Sequence, residues 1–337
     1  MFREIVKHDT HIDFLGRWRI CVAISLAVIL LGLAAIPLRG VRLGIDFQGG
    51  TEMQVRFTEA ESVDEAQVRS VVEGLGIGGA SVIRYGEGDA PEFLIKFSGE
   101  RRIEREAETV VEGERDPAAG AVNEATDRVV ALEAELERRI GPLSLERVEF
   151  VGPKVGEELR RDGLAAIAIA CLLILIYIAF RFSTRFAPGA VFALLHDVSI
   201  TSSLWIVFGL EFDLRVLAAL LAILGYSLND TIIVFDRVRE NMELRTKHDL
   251  MEVLNRSVNQ TLSRTLLTSG STLVAVLALL FLGGPVIRPF ALAMAIGIVV
   301  GTYSSVYIAA PTLLWLERAY GSGRGQRPAP RARAARA

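Results

Sequence analysis

Two acidic pairs stand where acids are costly: His196-Asp197 and Asn229-Asp230 each interrupt a run of apolar residues long enough to cross a bilayer. Counting from the start of each run at about 1.5 Å per helical residue, Asp197 lies about 15 Å deep and Asp230 some 21 Å. An ionised carboxyl at such depth costs about 2.5 kcal/mol or more, so it must face the bundle, find a partner or bind a proton. Tyr226 and Ser227 precede Asp230 by four and three residues, which puts a phenol and a hydroxyl on its helical stripe. Farther on, Arg264, Thr268, Ser271 and Thr272 fall at i, i+4, i+7 and i+8, a polar ridge headed by a permanent cation. Beside Arg264 the acid would stay ionised, whereas alone in hydrocarbon it would keep its proton. A group that can be switched between those settings can carry a proton.

Structural readings stand beside these. Serine and threonine in a span often bond only their own backbone, Asp230 could be a polar lock between helices, and His196 could simply donate to a neighbouring carbonyl. Asp236, followed by Arg237 and Arg239, reads as an interfacial cluster at a helix end. Gly297 and Gly301, with Thr302, Ser304 and Ser305, form a small-residue face for close helix packing. Gly76, Gly78 and Gly79 lack the lysine of a phosphate loop, so nucleotide binding is not expected.

The elements that position these residues follow from the apolar runs. A bilayer core about 30 Å thick needs roughly 20 apolar residues. Six segments qualify: Ile20 to Ile36, Leu164 to Phe180, Ala187 to Phe208, Val216 to Phe235, Thr265 to Leu282 and Phe290 to Leu316. The first could be a signal-peptide core, but its acidic flank (Asp9, Asp13) and length favour a retained anchor. The chain has 337 residues, 51% hydrophobic and 23% charged, and the two populations are segregated. Arg39 to Arg161 holds 17 basic and 26 acidic residues and no run long enough to span. Cys21 and Cys171 both fall inside spans, so no disulfide framework staples the acidic region.

The short connections on the side of the termini carry eighteen Lys and Arg, against two (Arg215, Arg288) on the other side. Both termini are therefore expected in the cytoplasm and the acidic region outside. The divisions are a cytoplasmic N-terminus (1–19), a first span (20–36), an outer domain (37–162), a five-span bundle (163–320) and a disordered basic tail (321–337). In the bundle, Leu250, Val253, Leu254, Val258 and Leu262 mark an amphipathic helix over about 241–262, lying on the cytoplasmic surface or under a partner. The tail has a topological reading and one as a contact for anionic lipid or ribosomal RNA; no nucleic acid is expected as a partner.

The outer domain alternates strand and helix patterns. Gly44 to Thr58 is a strand after a turn-prone start. A helix, Ser62 to Leu75, opens on a Ser-Val-Asp-Glu box, and strands follow at Ser81 to Tyr85 and Phe93 to Phe97. A helix over Val122 to Ile140 and a strand over Ser144 to Phe150 complete the set. The order β-α-β-β-α-β is that of a ferredoxin-like split sandwich. Glu100 to Gly120 reads as a frayed helical start and loop.

Several strings are familiar as a group. They are Gly44-Ile-Asp-Phe-Gln-Gly-Gly-Thr51, which contains Asp46, Gly49 and Gly50; His196-Asp197; Gly225-Tyr-Ser-Leu-Asn-Asp-Thr-Ile-Ile-Val-Phe-Asp-Arg-Val-Arg-Glu-Asn241; Asn259-Gln-Thr-Leu-Ser-Arg-Thr265; and Gly301-Thr-Tyr-Ser-Ser305. With the six-span layout they make the chain resemble the SecF family, and through it the resistance-nodulation-division permeases. The resemblance implies a membrane all-α six-helix bundle, half of a permease, with the inserted α+β domain. It implies SecD as the other half, the SecYEG channel beside it, YajC and YidC as associates, unfolded preprotein as substrate and membrane lipid around it. It implies no enzymatic activity, no metal and no cofactor beyond a coupling proton or sodium ion. Asp230 would be a relay carboxylate and Arg264 its basic counterpart, with Asp197, Tyr226, Ser227, Asn229 and Thr268 beside them. The alternatives are a self-contained small-molecule exporter, a passive scaffold for SecD and the channel, and an intramembrane aspartyl protease built on Asp197 and Asp230. The protease would need local contexts that His-Asp and Asn-Asp do not supply.

Overall fold

The structure, a computed structural model, describes residues 11–58, 63–77, 80–85, 91–97, 117–181, 186–244 and 249–320. The tail, Gly78, Gly79 and the first part of the Glu100 to Gly120 stretch lie outside these.

Among the described residues six helices are long and apolar enough to cross a membrane: α1 (Trp18–Arg39), α5 (Pro153–Arg181), α6 (Ala187–Val207), α7 (Leu214–Leu244), α8 (Leu250–Leu282) and α9 (Gly284–Ser304). The last continues through a π turn (Ser305–Ala309) into α10 (Ala310–Tyr320) to make span six. Spans three, four and six form the interior. Between 50% and 61% of their apolar windows is buried, against 11% to 17% in spans one, two and five.

Small residues set how closely the interior helices approach. A Cβ on Gly297 would stand 2.2 Å from the Ile223 side chain of span four, and one on Gly301 would stand 2.9 Å from Ser227 Cβ. A Cβ on Gly32 of span one would likewise meet Ser203 of span three at 2.4 Å. Two apolar clusters result. One, around Phe186, Phe235, Leu254 and Leu313, lies at the end with the termini, and the other, around Trp205, Ala219, Ile223 and Ala291, at the end with the inserted domain. On spans three and six the buried polar residues fall between the stretches that supply these clusters.

The inserted domain is a four-stranded antiparallel sheet of order β2-β3-β1-β4, formed by β1 (Gly50–Phe57), β2 (Ser81–Tyr85), β3 (Glu92–Phe97) and β4 (Leu143–Val151). Alternation puts Met53, Val55 and Phe57 of β1 on one face. There they pack with Val68 and Val72 of α3 (Glu65–Gly74) and Leu132 and Leu136 of α4 (Pro117–Arg139). Each such side chain contributes about 1.5–3 kcal/mol on full burial.

Several boundaries differ from the sequence reading, each for a local reason. The strand expected from Gly44 begins at Gly50, because Ile45–Gln48 close one helical turn, α2, and Gly49 and Gly50 reverse the chain with φ of +76° and +148°. A side chain at Gly49 would also meet Pro153 Cα at 2.7 Å. Helix α3 is capped by Asp64, which forms a reciprocal box with Gln67, while Ser62 lies outside the described residues. Pro117 to Gly120 are helix rather than loop.

The largest correction concerns the amphipathic stretch. It is no separate surface helix: span four runs on to Leu244, and Leu250 to Leu262 are the first turns of span five itself. Val253, Leu254 and Val258 are buried in the bundle. Asn255 and Asn259, one turn apart, grip the N-terminal segment by its backbone. Asn255 Oδ1 accepts from Phe14 N (2.9 Å) and Leu15 N (3.2 Å), and Asn259 Oδ1 accepts from Ile12 N (3.0 Å). Both side-chain amides donate back to the Ile12 carbonyl, at 3.0 and 2.8 Å.

The inserted domain is tied to the bundle at the start of span four. Gly44 N donates to the Phe212 carbonyl (2.7 Å) and Phe212 N to the Arg42 carbonyl (2.8 Å). Asp46 Oδ2 accepts from Leu214 N at 2.9 Å, satisfying an orphan donor of the span-four N-terminus. Lys96 of β3 reaches Glu211 at 2.6 Å and Glu52 at 3.3 Å.

Candidate functional site

Asp230 is 1% exposed, and its Oδ2 accepts from Ser269 Oγ of span five at 2.9 Å. Its Oδ1 has no hydrogen-bond partner. Among the described residues three other buried polar atoms share that state, Thr201 Oγ1, Tyr226 Oη and Thr231 Oγ1, two of them beside Asp230 on span four. A buried carboxylate needs several donors to offset its lost hydration. Asp230 accepts from Ser269, and it can take up a proton without an ion pair being dismantled.

Asp197 is fully buried and differently provided. Its Oδ1 faces His196 Nδ1 at 3.0 Å, and its Oδ2 accepts from Ser227 Oγ and, at 2.9 Å, from Ser304 Oγ of span six. His196 Nε2 meets Ser25 Oγ of span one at 2.8 Å. Ser25 Oγ lies 3.2 Å from Tyr303 Oη, which donates to the Cys21 carbonyl at 2.6 Å.

The two acids therefore belong to separate networks, and three expected contacts are corrected. Ser227, placed by helical spacing on the Asp230 stripe, turns to Asp197, because Gly301 lets span six approach on that side. Tyr226 does not hold Asp230, since its hydroxyl is unpartnered. Thr268 does not reach the acid either: its hydroxyl lies 3.1 Å from the Arg264 carbonyl and 3.0 Å from the Thr265 carbonyl, and Ser271 and Thr272 bond the Thr268 carbonyl.

Arg264 is not brought to Asp230. It lines a cleft of about 400 Å³ with Asn229, Asp236, Arg237 and Gln260, toward the end that carries the termini, and Asp230 is not in that lining. Asp236 is exposed there, and its expected cluster is rearranged: Arg237 pairs with Glu240 (2.8 Å) and Arg239 with Glu243 (3.3 Å) on the continuing helix. Asn241 ties spans four and five through Ser257 (2.9 Å) and Gln260 (2.8 Å). Gly44, Asp46, Gly49 and Gly50 lie far from the acids in sequence and serve the junction with the inserted domain.

Ser269, Ser25 and Tyr303 were not singled out by spacing. Thr261, Thr265 and Ser269 form a second stripe at i, i+4 and i+8, as regular as the one headed by Arg264. Ser25 is the one hydroxyl between Ile20 and Ile36.

The chain matches the family model for the C-terminal region of the protein export membrane proteins SecD and SecF over residues 132–319, and the SecD/SecF GG motif over residues 34–61. It is 41% identical to the protein translocase subunit SecF of Gemmatimonas aurantiaca over 314 residues, 93% of this chain and 89% of that protein. It is 39% identical over 319 residues to the protein translocase subunit SecDF of Thermus thermophilus, covering 92% of this chain but 39% of that one. The crystal structure of the Thermus SecDF, described as a translocon-associated membrane protein, superposes with a TM-score of 0.76 at 37% identity, over 92% of this chain and 39% of that chain. A SecDF structure in a super-membrane-facing form superposes with a TM-score of 0.64.

Proposed function

The chain belongs to the SecF family of multi-pass protein translocase subunits, and from that premise we propose that it works with SecD as a non-enzymatic, ion-driven subunit in the late stages of preprotein translocation across the inner membrane. The observation that carries the ion-driven reading is Asp230, 1% exposed with one oxygen bonded and one without a partner. An elementary charge moving through 100 mV releases about 2.3 kcal/mol, enough to bias a two-state motion more than tenfold. Proton or sodium would be the coupling ion, and no other cofactor is called for.

Two features support SecD as the partner. The relative of which it covers 39% is named SecDF, one protein that bears both names. Asn229 and Arg264 are exposed on spans four and five, and polar groups on the outside of a span need a covering partner. The SecYEG channel, and YajC and YidC, are further associates. The excess of basic residues on one side supports cytoplasmic termini, with 37–162 in the periplasm acting on emerging polypeptide. The β2-β3-β1-β4 order with helices between β1 and β2 and between β3 and β4 supports reading that domain as ferredoxin-like.

Asp230→Asn keeps the shape and removes the titrating group. In vesicles containing the chain, its SecD partner and the channel, the variant is expected to assemble normally and to lose the stimulation of export by an imposed ion gradient. Undiminished stimulation would reject the relay and favour a passive scaffold.

A further inference from the structure

Asp230 is not the only place in the bundle built to hold a proton. We infer that His196, supported by Asp197, is a second and separate proton-binding site, served by a hydrogen-bonded wire through Ser25 and Tyr303. The inference rests on the ion-driven reading above for its purpose, though not for its chemistry.

The argument is one of counting donors and acceptors. Ionised Asp197 accepts three bonds, from His196 Nδ1–H, Ser227 and Ser304, so its charge is satisfied with no further group. That fixes Nδ1 as the protonated nitrogen and leaves Nε2 to face Ser25 Oγ at 2.8 Å. With His196 neutral, Ser25 donates its hydroxyl proton to Nε2 and Tyr303 donates to the Cys21 carbonyl. With His196 cationic, Nε2–H donates to Ser25 Oγ, Ser25 donates to Tyr303 Oη at 3.2 Å, and Tyr303 still donates to the Cys21 carbonyl. Both states are fully paired, and apart from the added proton only a hydroxyl rotation separates them. A lock whose one task was to hold helices together would need a single polarity.

Transfer along the wire is balanced. A proton reaching Tyr303 Oη joins the chain as that hydroxyl turns from the Cys21 carbonyl to Ser25; Tyr303 passes its own proton to Ser25, and Ser25 passes its own to His196 Nε2. One O–H or N–H bond forms for each that breaks, and the imidazolium rests 3.0 Å from the Asp197 carboxylate. Release runs the same steps backwards. The titratable groups facing His196 are Asp197 on its own helix and Tyr303 on span six; Cys21 and Tyr307 stand beside Tyr303, and Asp230 follows Ser227 by three residues on span four. The Tyr303 ring stacks on the imidazole at 6.1 Å and leads to Tyr307 at 5.1 Å, toward the end with the termini.

The test uses the full chain in lipid with ¹⁵N-labelled histidines, His196 being assigned by the resonances lost in His196→Asn. Its two nitrogens are expected to change from the neutral to the doubly protonated pattern as a proton is taken up on acidification. Ser25→Ala and Tyr303→Phe are each expected to slow the exchange between forms by about tenfold or more, and Ser25→Thr to restore it. A single unvarying form in the wild type, or exchange unaltered in both Ser25→Ala and Tyr303→Phe, overturns the inference. The spectra do not depend on export, so full export by Asp230→Asn would remove the ion-driven reading and leave this proton site standing or falling on its own result.

Discussion

Asp230 accepts a hydrogen bond from Ser269 Oγ at 2.9 Å. Ser269→Ala would strip the acid of that bond and bury another unsatisfied oxygen, at a cost of about 1–3 kcal/mol. Unfolding in detergent should show that loss, and Ser269→Thr, which keeps the hydroxyl, should recover most of it. Equal stability of Ser269→Ala would mean that the acid draws its support from elsewhere. At this scale the sequence reveals the acids and their depth, because a carboxyl in an apolar run is conspicuous. It does not reveal their partners. Spacing along span four says that Ser227 and Asp230 share a stripe. Whether a hydroxyl there turns to span three or stays with its own helix depends on how closely span six approaches, and Gly301 decides that from 74 residues away.

The elements divide between those whose limits are written in periodicity and those set by what they meet. The sheet strands and α3 are legible because alternation and capping chemistry are local. The four-residue turn α2 is not, since an apolar-polar alternation over Ile45 to Gln48 suits a strand as well as one helical turn. The continuity of span five could have been read from the absence of Gly or Pro between Leu250 and Ser269. Close approaches make sharp predictions. Gly297→Ala would put a Cβ 2.2 Å from Ile223 and force spans four and six to repack, at about 1–3 kcal/mol. A thermal scan in detergent should register the loss, and an unchanged midpoint would show that Ile223 yields freely. Asp46→Ala removes the side-chain cap on Leu214 N and should cost about 1 kcal/mol. Faster hydrogen exchange confined to the first turn of span four is its signature.

For the molecule as a whole, the tie between the inserted domain and the bundle enters span four, the helix that carries Asp230 sixteen residues farther on, about 24 Å at the helical rise. Lys96 sits in that tie. Burial pulls its ammonium down, but its hydrogen bond and charge attraction to Glu211, with Glu52 behind, outweigh burial and hold it above its ordinary 10.5. A group raised on folding stabilises fully below its unfolded value and stops doing so as pH climbs through the folded one. The tie should therefore loosen in strongly alkaline solution, and Trp205, whose indole bonds the Glu211 carbonyl at 3.0 Å, reports it by fluorescence. Lys96→Met should abolish that alkaline change and cost roughly 2 kcal/mol, less than a fully buried pair because Glu211 is 30% exposed. The six-span plan was open to inspection in the apolar runs, whereas this junction was not, since its partners come from Arg42 to Glu52, Lys96 and Glu211 to Leu214. The asparagine grip on the N-terminal segment adds a constraint in time. Ile12 leaves the ribosome 247 residues ahead of Asn259, so this segment must wait for the start of span five before it can settle. Shortening the chain ahead of Asn255 should leave that opening segment undocked however well the earlier spans have entered the bilayer.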